Sequence, residues 1–146
     1  MPKEVVVDTC VLQKANAPIA DGVREKSLLA KRVRLLRDIR NGNVLILYSR
    51  RLLHEYNQQV RSPRNDFVRA FFALLEDPDR SLLNWAKWTS ANREIAFGKC
   101  RYPPEDAHVL RTAIRPAASR IITEEERMLL ADECIYRFFR VHIRTI

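Results

Sequence analysis

Four acidic side chains fall at places where a parallel α/β sheet gathers its ligands. The first is Asp8, which ends the apolar run Val5-Val6-Val7. Three consecutive β-branched residues read as a short strand buried on both faces. An acid at the carboxyl end of such a strand sits in the crevice where open α/β sheets bind their ligands; taken alone, it reads as a cap for the next helical turn. Glu55 follows a second apolar strand, Val44–Leu47. Asp106 opens a later helix behind Pro103-Pro104, and Glu125 follows the strand that ends at Thr123. Converging on one cleft without a cation, these carboxylates would repel and some would stay protonated. Mg²⁺ or Mn²⁺ resolves that conflict, because both prefer oxygen ligands and keep waters for a substrate phosphate. One or two such ions activate water and steady the leaving oxygen of a phosphodiester.

Composition points to the partner of such a cleft. The 146 residues contain 26 Lys+Arg against 18 Asp+Glu, a formal net charge of +8. Most of the cations are arginines, which suit bidentate phosphate contact better than lysine does. A basic domain holding an acidic metal cleft is what metal-dependent nucleic-acid hydrolysis requires. The length suits one domain over residues 1–146 with a single core. Cys10, Cys100 and Cys134 are far apart, odd in number and without CxxC spacing. They indicate neither a disulfide framework nor a zinc site, and a reducing cytoplasm is the expected location. No apolar run is long enough to span a bilayer, and the amino terminus carries no signal-peptide pattern.

The elements that must position the acids follow from periodicity. Lys14 to Asp21 reads as a loop, and Val23 to Arg40 as a helix with Leu29, Val33, Leu36 and Ile39 on one face. Gly42 stops that helix. Ser49 is the expected N-cap of a helix to about Val60, in which Glu55 borders the apolar stripe of Leu53, Tyr56 and Val60. A further helix is expected from Asn65 to Leu75, and another over Leu82 to Trp88, whose Trp85 and Trp88 stand three apart and read as core rather than as a stacking platform. Thr89 to Tyr102 has no readable pattern. Asp106, Val109, Ala113 and Ile114 share the inward face of a helix whose first turn holds proline, with Glu105 as a helix-dipole acid. Thr123 and Glu126 match a capping box, which would occupy Glu126 and leave Glu125 free for the crevice. A helix to about Arg137 and an edge strand with Val141, Ile143 and Thr145 alternating complete the chain. Strands alternating with helices imply βαβ units, a mostly parallel sheet and helices on both faces.

Four motifs in order carry a family resemblance: Val5-Val6-Val7-Asp8-Thr9 with Leu12, Ser49-x-x-Leu52-x-x-Glu55, Glu105-Asp106, and Ile122-Thr123-x-Glu125. With this order and spacing over nearly the whole chain, the sequence resembles the PIN-domain ribonucleases, many of which are VapC-like toxins of toxin–antitoxin pairs. The resemblance implies a three-layer α/β/α sandwich around about five mostly parallel strands. It further implies Mg²⁺ or Mn²⁺ as cofactor and cleavage of single-stranded RNA to leave a 3′-hydroxyl and a 5′-phosphate. An antitoxin protein and a homodimer would be the partners. By position, Asp8, Glu55 and Asp106 form the acidic core, Glu125 is the fourth acid, and Thr9 and Thr123 are supporting hydroxyls. The sequence departs from the family at Cys10, where asparagine is common, and at Glu125, where aspartate is usual.

Three other chemistries are weaker. A haloacid-dehalogenase-like phosphatase needs a second aspartate two residues after Asp8, and Cys10 stands there. His54, His108 and His142 form no arrangement suited to a serine or cysteine nucleophile, and Cys10 reads as a small packed residue. The remaining alternative is a non-catalytic PIN-like module that binds RNA or protein.

Overall fold

The computed structural model describes residues 2–17 and 22–146. Five strands form one sheet: β1 (Lys3–Val7), β2 (Val44–Tyr48), β3 (Ser81–Leu83), β4 (Ser119–Ile122) and β5 (Val141–Arg144). Their order is β3-β2-β1-β4-β5, and every pairing is parallel. The central strand β1 owes its place to Val5, Val6 and Val7, all buried, so that both faces of the sheet are covered there. The architecture is an α/β/α sandwich, as the alternation of strands and helices requires. The chain builds β2 and β3 on one side of β1, then crosses to build β4 and β5 on the other. The reversal of direction falls between β1 and β4, and in open parallel sheets the crevice beyond that switch point is where ligands lie.

The helices are α1 (Thr9–Ala15), α2 (Gly22–Asn41), α3 (Arg50–Gln59), α4 (Asp66–Leu75), α5 (Ser90–Arg93), α6 (Ala107–Ala113), α7 (Glu126–Leu130) and α8 (Asp132–Phe139). Among the residues expected on the inner face of α2, Leu36 and Ile39 are buried, and Leu29 and Val33 are half-buried. Gly42 follows for a reason of space: its N–H donates to the Asp38 carbonyl at 2.8 Å, and a Cβ there would stand 2.7 Å from the same oxygen. Ser49 caps α3, accepting from the Leu52 N–H at 3.2 Å, and Asn65 caps α4 through the Val68 N–H at 2.9 Å. Strand β5 is the edge strand that alternation predicts, with Val141 and Ile143 buried.

Several elements differ from the sequence reading. The loop expected over Lys14 to Asp21 begins later, because α1 runs through Ala15; its residues 18–21 lie outside the described residues. Leu82 to Trp88 is not helical. Ser81–Leu83 pairs with Ile46–Tyr48 of β2, and the Asn84 N–H extends the ladder to the Tyr48 carbonyl at 2.8 Å. An open sheet edge thus overrides a weak helical period. Consequently Trp85 is not core: it is 43% exposed, whereas Trp88 is half-buried against the core. The unreadable stretch folds as α5 followed by a π-helical turn, Glu94–Lys99. The helix expected as far as Arg137 is two helices, α7 and α8, meeting at Ala131.

The cysteines also correct an expectation. Cys100 and Cys134 form a disulfide with their Cα atoms 5.3 Å apart, leaving Cys10 as the free thiol. Wide spacing in sequence carried no warning of this, because the fold packs α8 against the π-helical turn that precedes Cys100. Closing a loop across 34 residues stabilises by about 3–4 kcal/mol in the chain-entropy account. No helix among the described residues is long and apolar enough to cross a membrane.

Candidate functional site at the sheet's carboxyl edge

Asp8 stands immediately beyond β1 and Thr123 immediately beyond β4, so the two flank the switch point. The Asp8 N–H continues the ladder to the Ile122 carbonyl at 2.9 Å. The Thr123 hydroxyl donates to Asp8 Oδ2 at 2.7 Å and accepts from the Glu125 N–H at 3.0 Å. The Cys10 thiol also leans on Oδ2, at 3.5 Å. No side-chain donor reaches Asp8 Oδ1 among the described residues. Asp8 is only 6% exposed. Burial pushes its carboxyl above the ordinary range, against the lowering effect of the hydroxyl and thiol. The Cys10 thiol is pushed up to about 11, by burial first and by the Asp8 charge second. It therefore stays protonated at neutral pH, which removes it as a nucleophile.

Glu55 lies one turn into α3. The Thr9 hydroxyl donates to its Oε1, and His108 Nε2 of α6 lies 2.9 Å from its Oε2. The imidazole is buried, and the contact is a close approach whose angle falls short of an aligned hydrogen bond. His108 nonetheless holds Glu55 below the usual glutamate range, with burial opposing. Asp106 closes a 3₁₀ turn, Pro104–Asp106, and takes the N-cap position of α6 without making a cap bond. Its carboxyl is pushed up to about 6, by burial first and then by the charge of Asp8.

Asp8, Glu55, Asp106 and Glu125 line one cleft of about 330 Å³, together with Thr9 and Cys10. Thr123 lies beneath it, fully buried. Lining a cleft is less than forming a ligand set: among the described residues, no three acid, thiol or imidazole side chains are gathered closely enough to hold an ion as they stand. The chemistry of the donors still suits a hard divalent cation. Asp8, Asp106 and Glu125 make no ion pair among the described residues, and only Glu55 has a basic neighbour within pairing distance, His108. Oxygen donors of this kind suit Mg²⁺ or Mn²⁺ rather than a soft metal.

The capping box does not form. Thr123 is not an N-cap, because its hydroxyl is occupied by Asp8 and by the Glu125 N–H. Helix α7 starts two residues later, with Glu125 as N-cap accepting from the Arg127 N–H at a long 3.4 Å, while Glu126 is exposed. A tertiary hydrogen bond has displaced a local motif. Glu105 pairs with Arg127 on the surface. Two residues that matter here escaped the sequence reading. His108 gave no signal because its partner Glu55 is 53 positions earlier. Glu124 is held bidentately by the buried Arg32 of α2, at 2.8 and 2.7 Å, which fixes the backbone just ahead of Glu125. No family model, curated protein or solved structure matches this chain.

Proposed function

We propose that the protein is a metal-dependent endoribonuclease that hydrolyses phosphodiester bonds of single-stranded RNA. The observation that carries this reading is the state of Asp8: a buried carboxylate at the switch point of a parallel sheet, sharing its cleft with Glu55, Asp106 and Glu125 and making no ion pair among the described residues. Asp8, Asp106, Glu55 and Glu125 would hold Mg²⁺ or Mn²⁺. When bound, such an ion supplies charge neutralisation at the phosphodiester and lowers the pKa of water. The chain's own residues do the positioning. Thr123 orients Asp8 through Oδ2, Thr9 and His108 orient Glu55, and Arg32 anchors the turn that presents Glu125. The net charge of +8 draws an RNA strand to the molecule. The family resemblance extends the proposal to a toxin paired with an antitoxin protein.

A second reading, a non-catalytic RNA-binding module, is favoured by one observation: Glu55 already has two partners, Thr9 and His108. A nuclease assay on unstructured RNA separates the readings. Wild type should cleave only with Mn²⁺ or Mg²⁺. Asp106→Asn should lose at least about a hundredfold of the rate, the scale of losing a group that stabilises transition-state charge. It should still bind RNA as well as wild type or better. Binding without metal-dependent cleavage in wild type would leave the binding module as the function.

A further inference from the structure

Beside the acidic cleft, on the β3 side, lies a second pocket of about 330 Å³ lined by Ser49, Arg50, Arg51, Leu83 and Trp85. We propose that this pocket takes one unstacked base of the RNA strand whose backbone crosses the cleft, with Trp85 as the stacking surface and the surrounding arginines on the adjoining phosphates. The proposal rests on the ribonuclease reading for its substrate and deepens it by naming where a base flanking the cut is held.

Trp85 is exposed yet rigidly carried. On one side the Asn84 N–H is bound to the Tyr48 carbonyl, and the Asn84 amide donates to the Thr112 and Ile114 carbonyls at 2.8 and 2.9 Å. On the other, the Ala86 N–H donates to the Arg111 carbonyl at 3.0 Å, and Arg111 Nε returns a bond to the Ala86 carbonyl at 2.9 Å. That second bond sets the Arg111 guanidinium over the Trp85 ring, 4.0 Å from its centroid. Trp85, 43% exposed, and Leu83, 49% exposed, line the same pocket, and apolar surface gathered in a pocket rimmed by polar residues marks a binding site. Its preorganisation lowers the entropy lost when a ligand binds.

The charge around the indole selects the ligand. Arg50, Arg51, Arg93 and Arg111 make no ion pair among the described residues. Arg111 is held below the usual arginine range by burial first and then by the neighbouring charges of Arg93 and Arg51, so the three cations lie close together. An aromatic platform among unpaired arginines is how single strands are bound: bases stack while cations track the backbone. Helix α3 lines both pockets, and α6 flanks both. Helix α3 carries Arg50 and Arg51 at its start and Glu55 one turn later, and Arg51 and Glu55 are i,i+4 neighbours. Helix α6 starts beside Asp106 and carries Arg111, and the Thr112 and Ser49 hydroxyls bond at 2.8 Å between the two helices. In this mode, a strand with a phosphate at the acids runs along α3 and carries a flanking nucleotide to Trp85.

The test uses tryptophan fluorescence of the full chain with a short oligouridylate and no divalent metal. Oligouridylate should quench the emission of Trp88→Phe, in which Trp85 is the remaining reporter, and should leave Trp85→Phe unquenched. Trp85→Ala should bind the strand roughly tenfold more weakly, the scale of losing one base–aromatic stack. Trp85→Phe should restore most of that affinity, and all variants should melt close to wild type. A duplex of the same length, with no base free to enter, should not quench. If Trp85→Ala binds single-stranded RNA as well as wild type, the proposal is overturned. It is equally overturned if an acidic peptide, and not RNA, quenches Trp85, because the pocket is then a protein interface. Quenching by RNA in a protein that never cleaves with Mn²⁺ would leave the pocket standing and remove the nuclease reading instead.

Discussion

The two ends of β1 treat a buried acid in opposite ways. At the amino end Glu4, 8% exposed, meets the Arg115 guanidinium at 2.7 Å. At the carboxyl end Asp8, 6% exposed, meets a hydroxyl and a thiol and shares its cleft with three further acids, Glu55, Asp106 and Glu125. A related contrast separates neighbours after β4, where the half-buried Glu124 is held by Arg32 and the exposed Glu125 makes no ion pair among the described residues. A buried carboxylate with its own arginine has its charge settled within the fold, so removing the arginine harms the fold. A buried carboxylate without one is unfavourable until a cation arrives from outside, so removing its charge should help the fold and harm the chemistry.

The largest effect should come from the paired acids. Arg32→Ala leaves Glu124 uncompensated and should cost about 3–5 kcal/mol, the range for breaking a buried pair. Arg115→Ala should cost less, because that side chain is 30% exposed and water replaces part of what is lost. Asp8→Asn should move the other way, raising the melting temperature of the metal-free protein. Urea denaturation of the three variants checks the order; destabilisation by Asp8→Asn would mean that Asp8 is a structural acid like Glu4.

Metal and pH sharpen the contrast at intermediate scale. Mn²⁺ at a hundred times its dissociation constant should stabilise wild type by about 2.7 kcal/mol, and should stabilise Asp8→Asn less. Asp106 adds a pH dependence whose sign is set by its shift from 3.8 to about 6. Below the unfolded value both states are protonated, and the group makes no difference. Between the two values the folded state binds more protons, so stability falls as pH rises from about 4 to about 6, and the penalty is complete above that. Metal should relieve the penalty above pH 6 and bind poorly below it, where protons compete for the carboxylate. Thermal melts at pH 5 and pH 7.5, with and without Mn²⁺, read both effects; an Asp106→Asn protein with the same pH slope as wild type would assign the dependence elsewhere.

The smallest effects separate the two exposed glutamates that open α7. Glu126 has no partner in a cap and no place in the cleft, so Glu126→Gln should change activity and stability by less than about 0.5 kcal/mol. Glu125 lines the cleft, and Glu125→Gln should lower the cleavage rate several-fold and raise the Mn²⁺ concentration needed, with Glu125→Asp recovering part of it. Metal titrations of cleavage by the two Gln variants make the comparison, and equal curves would place Glu125 outside the site.

Much of this architecture was legible in residue order. Val5 to Val7 are apolar and β-branched, so β1 could be nothing but a buried strand, and Asp8 had to stand at its carboxyl end. Ser49 announced α3, because an N-cap is a contact between residues three apart and needs no distant partner, and the apolar period from Asn65 to Leu75 announced α4. The alternation of strands and helices set a parallel sheet, which alone puts Asp8, Glu55, Asp106 and Glu125 at one edge. What residue order did not determine were contacts across long separations. Thr123 looked like a cap until Asp8, 115 residues away, took its hydroxyl. Trp85 looked like core until β3 paired with β2 and turned it outward. Cys100 and Cys134 became partners, and Glu124 a structural acid, through packing of α8 and α2. Local motifs rest on energies of about 1 kcal/mol, and a buried tertiary hydrogen bond or a sheet edge is strong enough to overrule them.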